Sequence, residues 1–296
     1  MKGKIYSGVT ADYSTRIYVA VTTDMVEEAR KRHQATPLAT EALGRTLTAA
    51  SIMGQMMKNK NDRLSLQFKG DGILNGTMAV ANREGNVKAY VGNPDAVLPV
   101  GSARQMDVGQ AMGAGQVVVI RDFGMKDPFV GQSDLVTGAI AEDLAHYYMK
   151  SEQQPSVVSL SVAFDAEKGQ VSAAGGVIIQ PLPGASNEVL DKIETSIRVL
   201  LPVAQLLNEG MTGPEIAEMA LNQFEVLMTE EKTVAYQCDC SRDRIRNALA
   251  SVGVNELKAM LKEDGQAELH CHFCNTYYQF DEKDLEELID ELSLKK

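Results

Sequence analysis

Residues 236–240 read YQCDC and residues 269–280 read LHCHFCNTYYQF, and together they hold Cys238, Cys240, Cys271 and Cys274, every cysteine of a 296-residue chain. Four cysteines placed at random would all fall in the last 59 positions with a chance of roughly 0.002. Such clustering is chemistry. A Cys-x-Cys, a gap of thirty residues and a Cys-x-x-Cys can bring four thiolates around one ion, the tetrahedral four-sulfur set that zinc prefers. A closed four-ligand shell leaves no position for substrate water, so a zinc held this way is structural rather than catalytic. One zinc per chain, on Cys238, Cys240, Cys271 and Cys274, is therefore expected.

The two pairs differ in character. CHFC at 271–274 falls in an alternating stretch that reads as a hairpin turning at the cysteines. A thioredoxin-like dithiol, the competing reading, would sit between a strand and a helix. CDC at 238–240 is the odd half, because residues i and i+2 of an extended strand face opposite sides. Both sulfurs reach one ion only if the backbone bends sharply. Their α-carbons can still approach within the range a disulfide tolerates, and a strained bridge forms reversibly at less reducing potentials. Cys240 also precedes the start of a helix, which favours thiolate. This spacing suits a switch. A module of about 60 residues is stable by roughly 3–9 kcal/mol, whereas structural zinc contributes on the order of 10–16 kcal/mol of binding energy. Oxidising the ligands should therefore unfold the module. His270 and His272 flank Cys271, but four sulfurs complete the shell, so both are read as surface or hairpin residues. His33 and His146 have no nucleophile pattern nearby and are read as core or surface histidines.

Taken whole, the chain is ordinary: 44% hydrophobic, 23% charged, with a net charge of −11 and pI near 4.9. Its acidity argues against nonspecific binding to nucleic acid or anionic membrane. No stretch has signal-peptide or membrane-span character, so a cytoplasmic location is expected, where clustered cysteines mean metal or redox chemistry rather than structural disulfides. Arg242, Arg244 and Arg246 beside the cysteines invite comparison with a nucleic-acid zinc ribbon. Residues 236–296, however, carry 8 Lys and Arg against 13 Asp and Glu, which weakens attraction to phosphate. GQAMGAGQ at 109–116 lacks the Gly-Lys-Ser/Thr ending of a phosphate loop and precedes the strand QVVVI, so its glycines are read as turn glycines.

Periodicity divides the rest into an α+β protein of three parts. Residues 1–180 mix helix and strand. TPLATEALGRTLTAASIMGQMMK opens with Thr36 as N-cap and Pro37 at the first helical position. Leu43, Leu47, Ala50 and Met53 recur at helical spacing, with Gly44, Ala49 and Gly54 for close packing. LSLQFKG reads as a strand, GTMAVANREGNVKAYVG as a hairpin about Gly85, and SVVSLSVAFDAEKGQVSAAGGVIIQ as another turning at 167–169. LVTGAIAEDLAHYYMKSEQ is helical in pattern. QPLPGAS at 180–186 is a Pro/Gly break. Beyond it, 181–235 reads as a helical linker. One helix carries Leu190, Ile193, Ile197, Leu200 and Ala204 on one face, kinked by Pro202. A second, started by a Thr212–Glu215 capping box, carries Ile216, Met219, Ala220, Phe224, Leu227 and Met228. These apolar faces are expected to pack on the protein itself. Residues 236–296 form the cysteine module, with helices capped by Ser241 and Asp281, a third over NELKAMLKEDG, and the hairpin.

The cysteine pattern at the end of an acidic chain of this length resembles the heat shock protein 33 family of redox-regulated molecular chaperones. KGDGILNGTMAVANREGNVKAYVGNP, YYMKSEQQPSVVSLSV and GGVIIQPLPGA share the likeness, so it covers essentially the whole chain. His272 departs from the acidic residue often found inside that Cys-x-x-Cys, which bears only on local electrostatics. The resemblance implies a stress-response chaperone rather than an enzyme, inactive while reduced and zinc-bound. It implies that oxidation forms Cys238–Cys240 and Cys271–Cys274 disulfides, releases zinc, unfolds switch and linker, favours a homodimer, and lets unfolding client proteins be held without ATP. Two other readings compete: a thiol–disulfide oxidoreductase using Cys271–Cys274, and a zinc-ribbon nucleic-acid binder.

Overall fold

The computed structural model describes residues 2–99 and 106–294. The chain divides into two units, one ending at Gln237 and the other beginning at Cys238. The first contains β1 (Lys2–Thr10), β2 (Thr15–Val21), α1 (Thr23–His33), α2 (Pro37–Gln55), β3 (Arg63–Gly70), β4 (Thr77–Asn82), β5 (Asn86–Val91) and α3 (Val108–Met112). It continues with β6 (Gly115–Asp122), β7 (Phe129–Asp134), α4 (Ala141–Ser151), β8 (Val157–Phe164), β9 (Val171–Pro181), α5 (Asn187–Ile197), α6 (Val203–Asn208), α7 (Gly213–Ala220) and β10 (Val226–Tyr236). The second holds α8 (Arg242–Ala250), α9 (Val254–Glu263), β11 (Ala267–His270), β12 (Tyr277–Phe280) and α10 (Glu282–Leu294).

The large unit is one ten-stranded sheet in the order β7-β6-β3-β4-β5-β10-β1-β2-β9-β8. The hairpin expected about Gly85 is β4–β5, with Gly85 at φ +83 as its turn requires. The one about 167–169 is β8–β9. Around α2 the sheet wraps on several sides, touching it through β2, β3, β4, β5, β8 and β9. Nearly every α2 side chain is buried accordingly, as befits a helix that is apolar or small all round. Its start is the expected one: Thr36 accepts a hydrogen bond from Ala39 N–H at 3.3 Å, with Pro37 following. Both edge strands, β7 and β8, pack against α4, so one helix covers the gap that the curled sheet leaves.

The opposite face of the sheet is covered by the segment after Gln180. Ile17, Val19, Val177 and Ile179 point there and form a second core with Ile193, Val203, Leu206, Ile216, Ala217 and Ala220. Strand β9 is thus buried on both faces, and its paired glycines have a physical reason. A Cβ on Gly175 would meet Val203 and Leu207 side chains at 3.0 and 2.9 Å, and one on Gly176 would meet Leu160 and Thr48 at 2.5 and 3.2 Å. One glycine admits the helices on each side.

This segment also departs from its sequence reading. The first helix is not kinked at Pro202 but interrupted: α5 stops at Ile197, and Pro202 caps a separate α6. Proline lacks the N–H a continuous helix needs and disfavours helical backbone in the residue before it. Leu190 is exposed, so the buried face of α5 is Ile193 and Ser196, with Val189 and Ile197 partly covered. The Thr212–Glu215 capping box is present, with Thr212 N–H donating to the Glu215 carboxylate at 2.7 Å. The helix nevertheless ends at Ala220, and residues 226–236 are strand. Apolar Phe224, Leu227 and Met228 imitate helical spacing, but β10 runs antiparallel to β1 over nine residue pairs and parallel to β5 at Ala235–Asn86 and Tyr236–Val87. It is the strand that joins the two halves of the sheet. Ladder hydrogen bonds on both sides outweigh a weak local preference.

Candidate metal centre

Each half of the centre is shaped by local backbone. β11 and β12 pair from Ala267–Phe280 to His270–Tyr277, and the turn between them closes on Cys271. Its N–H donates to Thr276 C=O at 2.9 Å, while its carbonyl accepts from Asn275 N–H at 2.7 Å and Cys274 N–H at 3.3 Å. Asn275 adopts a left-handed φ of +56, which asparagine tolerates. The tight turn points Cys271 and Cys274 the same way, each only 7% exposed. Cys238 and Cys240 lie in irregular chain before α8, whose Ser241 caps the helix by accepting from Arg244 N–H at 3.2 Å. The bend that the Cys-x-Cys spacing demanded is there: Cys240 N–H donates to the Cys238 sulfur.

All four sulfurs lie within 4.8 Å of one another. Cys238 Sγ stands 3.6 Å from Cys271 Sγ, and Cys240 Sγ 3.3 Å from Cys274 Sγ. Such a group can hold a metal ion. Burial pushes the Cys238 thiol well above its ordinary range, and Cys240 also rises because of burial. Cys274 is buried too, yet hydrogen bonding with the Thr276 hydroxyl and with Cys240 outweighs this and brings it down to about 7. Cys274 is thus poised toward thiolate, while Cys238 and Cys240 are held as thiols until a cation replaces the protons.

Two hydroxyls complete the surroundings. Tyr278 Oη is 3.1 Å from Cys240 Sγ, and Thr276 Oγ1 is 3.2 Å from Cys274 Sγ. Hydrogen bonding to Cys240 pushes the Tyr278 phenol up to about 12, so it remains an O–H donor for sulfur at neutral pH. Neither residue is singled out by the sequence. Their only signal is a hydroxyl on the strand leaving the Cys-x-x-Cys. His270 and His272 are exposed and outside the sulfur cluster; their rings meet edge-on at 4.4 Å, and His270 stacks on Tyr277. His33 binds the Ala89 carbonyl at 3.1 Å, and His146 is half-buried on α4.

The three arginines nearby are engaged within the small unit. Arg242 pairs with Asp284 at 2.6 Å and lies over the Phe280 ring at 4.6 Å, Arg244 pairs with Asp239, and Arg246 grips Glu291 at 2.7 and 3.0 Å. No helix among the described residues is long and apolar enough to cross a membrane.

A curled sheet clad by helices on both faces, followed by a small four-thiol module, defines a class of protein in which the metal-type centre forms a unit of its own. The family model described as Hsp33 protein matches residues 3–281. A 33 kDa chaperonin of Desulforamulus reducens is 42% identical over 295 residues, covering 100% of both chains. That of Ruminiclostridium cellulolyticum is 42% identical and covers 95% of this chain and 96% of its own. The crystal structure of the 33 kDa chaperonin (heat shock protein 33 homolog) of Thermotoga maritima superposes with a TM-score of 0.89 at 36% identity, covering 99% of each chain. The chain belongs to the Hsp33 chaperone family.

Proposed function

We propose that the protein is a redox-controlled, ATP-independent holdase, silent while reduced and zinc-bound, and switched on when oxidation dismantles the four-cysteine centre. The observation that carries this reading is the meeting of all four sulfurs in a module with very little else to hold it together. Zinc–sulfur bonds of about 2.3 Å in a tetrahedron place sulfurs about 3.8 Å apart, and here Cys238–Cys271 and Cys240–Cys274 stand at 3.6 and 3.3 Å with all four sulfurs within 4.8 Å. A soft, closed four-thiolate set favours zinc over the hard cations. The module's own core consists of Leu249, Leu257, Phe280, Leu285, Leu288 and Ile289. Ligand loss on the order of 10–16 kcal/mol exceeds what such a core supplies.

In the oxidation, each pair of thiolates gives up two electrons to one peroxide, which takes two protons from solvent, forming a disulfide and two waters. Cys238, Cys240, Cys271 and Cys274 would hold the zinc as thiolates, and a disulfide would leave it without those ligands. Pairing as Cys238–Cys240 and Cys271–Cys274 follows the family resemblance. In the reduced fold all four sulfurs lie within 4.8 Å of one another, so either disulfide draws two of them together and takes both from the set that would hold the ion. The unfolded module then loosens residues 181–235, and the chain, favouring a homodimer, holds unfolding client proteins in the cytoplasm. Nucleic acid is an unsuitable partner because the arginines beside the centre already carry carboxylates.

The deciding experiment compares suppression of thermal aggregation of an unrelated protein by reduced zinc-loaded and peroxide-oxidised samples, with zinc and disulfides measured in parallel. Activity confined to the oxidised sample, with one zinc released and neighbouring disulfides mapped, is expected; equal activity in both would defeat the reading. Turnover of a disulfide substrate such as insulin would move the function to an oxidoreductase using Cys271–Cys274.

A further inference from the structure

Far from the cysteines in sequence, the large unit has a cavity of ≈ 380 Å³ bounded by β2 and β9 on one side, β6 on another, the end of α2 above, and α4. Its volume falls in the range of small-molecule sites. One wall is apolar: Met53 and Met57 are buried at 1% and 5% exposure, Met56 lies beside them, and Phe123 stands at the mouth, 41% exposed.

The polar wall is rich in donors and poor in acceptors. Arg16 donates through Nε and Nη2 to Gln180 Oε1 at 2.9 and 2.6 Å. Gln180 is itself buried and donates to Ser156 at 2.8 Å. The guanidinium is therefore aimed by a buried amide and, among the described residues, has no carboxylate partner. Tyr148 is 1% exposed, and its hydroxyl reaches only the Met56 thioether, at 3.6 Å. A thioether is a weak acceptor, so this buried phenol lacks an oxygen partner. Lys58, exposed at the rim, adds a second cation with no carboxylate partner among the described residues. Arg121 is already matched by Glu152 at 2.5 Å, and the one lining carboxylate, Asp62, is occupied by Asn59 N–H at 2.9 Å. An aimed cation, a buried hydroxyl wanting an oxygen and a wall of methionine describe one kind of occupant.

We propose that this cavity binds a small amphipathic carboxylate, a free acid with an apolar chain, whose oxygens meet Arg16 and the Tyr148 hydroxyl while the chain lies along Met53, Met56 and Met57. Arg16 and Tyr148 supply charge-assisted hydrogen bonds, and methionine walls adapt to chains of varied shape. Nothing in this depends on the redox switch.

Calorimetric titration of the reduced, zinc-loaded full chain with sodium octanoate tests it. One saturable site is expected. Arg16→Gln should weaken it by about tenfold or more, the worth of a hydrogen bond to a charged group. Lys58→Gln, at an exposed position, should weaken it by about twofold to fivefold, since solvent screens that charge. Circular dichroism and zinc content matching the parent would establish that both variants fold, and 1-octanol should show no dependence on Arg16. Absence of saturable octanoate binding up to about 10 mM, or unchanged affinity in both variants, would sink the proposal. So would tighter, Arg16-dependent binding of an acidic apolar peptide, which would make the occupant a protein segment.

Discussion

At Tyr278 and Thr276 two hydroxyls sit on sulfur, and such partners set how firmly a metal is held. Tyr278→Phe keeps the ring and removes one donor from Cys240. Metal affinity should fall by about 10–100-fold, and peroxide should release zinc faster, while the fully loaded variant still binds one ion per chain. A competition titration against a chromophoric chelator reads this directly; an unchanged constant would deny the hydroxyl its role. A second residue-scale expectation concerns Glu27 on α1. Hydrogen bonding from Arg30, together with Val171 N–H at 3.0 Å, holds its carboxyl down at about 2 against an ordinary 4.5. A depressed carboxyl stabilises the fold above its ordinary value, and that stability is lost as pH falls from about 4.5 toward 2. Thermal melts of Glu27→Gln should start lower at pH 7 and lose less than the parent between pH 5 and 2; parallel curves would refute this. The four cysteines could be found without a structure because the ligands are all of one rare type. The hydroxyls could not, because which strand residue faces a sulfur depends on hairpin register, and serine, threonine and tyrosine are too common to signal it.

Among the elements, α5, α6 and α7 matter most, because they are short and hold to the sheet by side-chain burial rather than by their own helicity. Ile216 is fully buried in the second core, on a helix that packs against β1 and β2. Ile216→Ala should cost about 2–5 kcal/mol of that docking, raise amide exchange across α5–α7 in reduced protein, and bring holding activity forward to lower oxidant. Retained protection would separate this face from activation. In the parent, the proposed coupling predicts that oxidation raises exchange from Asn187 onward while strands before Gln180 stay protected. Strand β10 sharpens the expectation. Its paired residues 226–236 end two positions before Cys238, and only two of its residue pairs reach β5. Exchange should therefore rise at Ala235 and Tyr236 before it rises at the residues paired only with β1. Thr212 and Ser241 announced their helix starts because caps act through local hydrogen bonding, whereas Pro202, read as a kink, is a break between two helices. Strand β10 did not announce itself, because its order comes from partners more than 140 residues away on one side and more than 210 on the other.

For the whole molecule, zinc removal is the sharpest test of two units with unequal reserves. The large unit has an extensive core around α2 and a second beneath α5–α7, whereas the small one has six buried apolar side chains beside its cysteines. Chelation under reducing conditions should abolish the helical signal of α8, α9 and α10 and leave the sheet intact. A chelated sample that kept all three helices by hydrogen exchange would show that the module stands without metal. Sequence alone determined what rests on local chemistry: the four-sulfur site and its hairpin, α2 with its cap, the paired strands about Gly85 and 167–169, and the separateness of the cysteine module. It also determined family membership, through motifs spread over the whole chain. Only the tertiary structure decided that 226–236 is the strand joining two half-sheets, that Pro202 separates two helices, and that α4 covers both sheet edges. It alone brought Arg16, Gln180 and Tyr148 around one cavity. These features depend on contacts between residues far apart in the chain, and a strand's pairing partners, unlike a cap or a metal ligand pair, leave no fixed spacing to read.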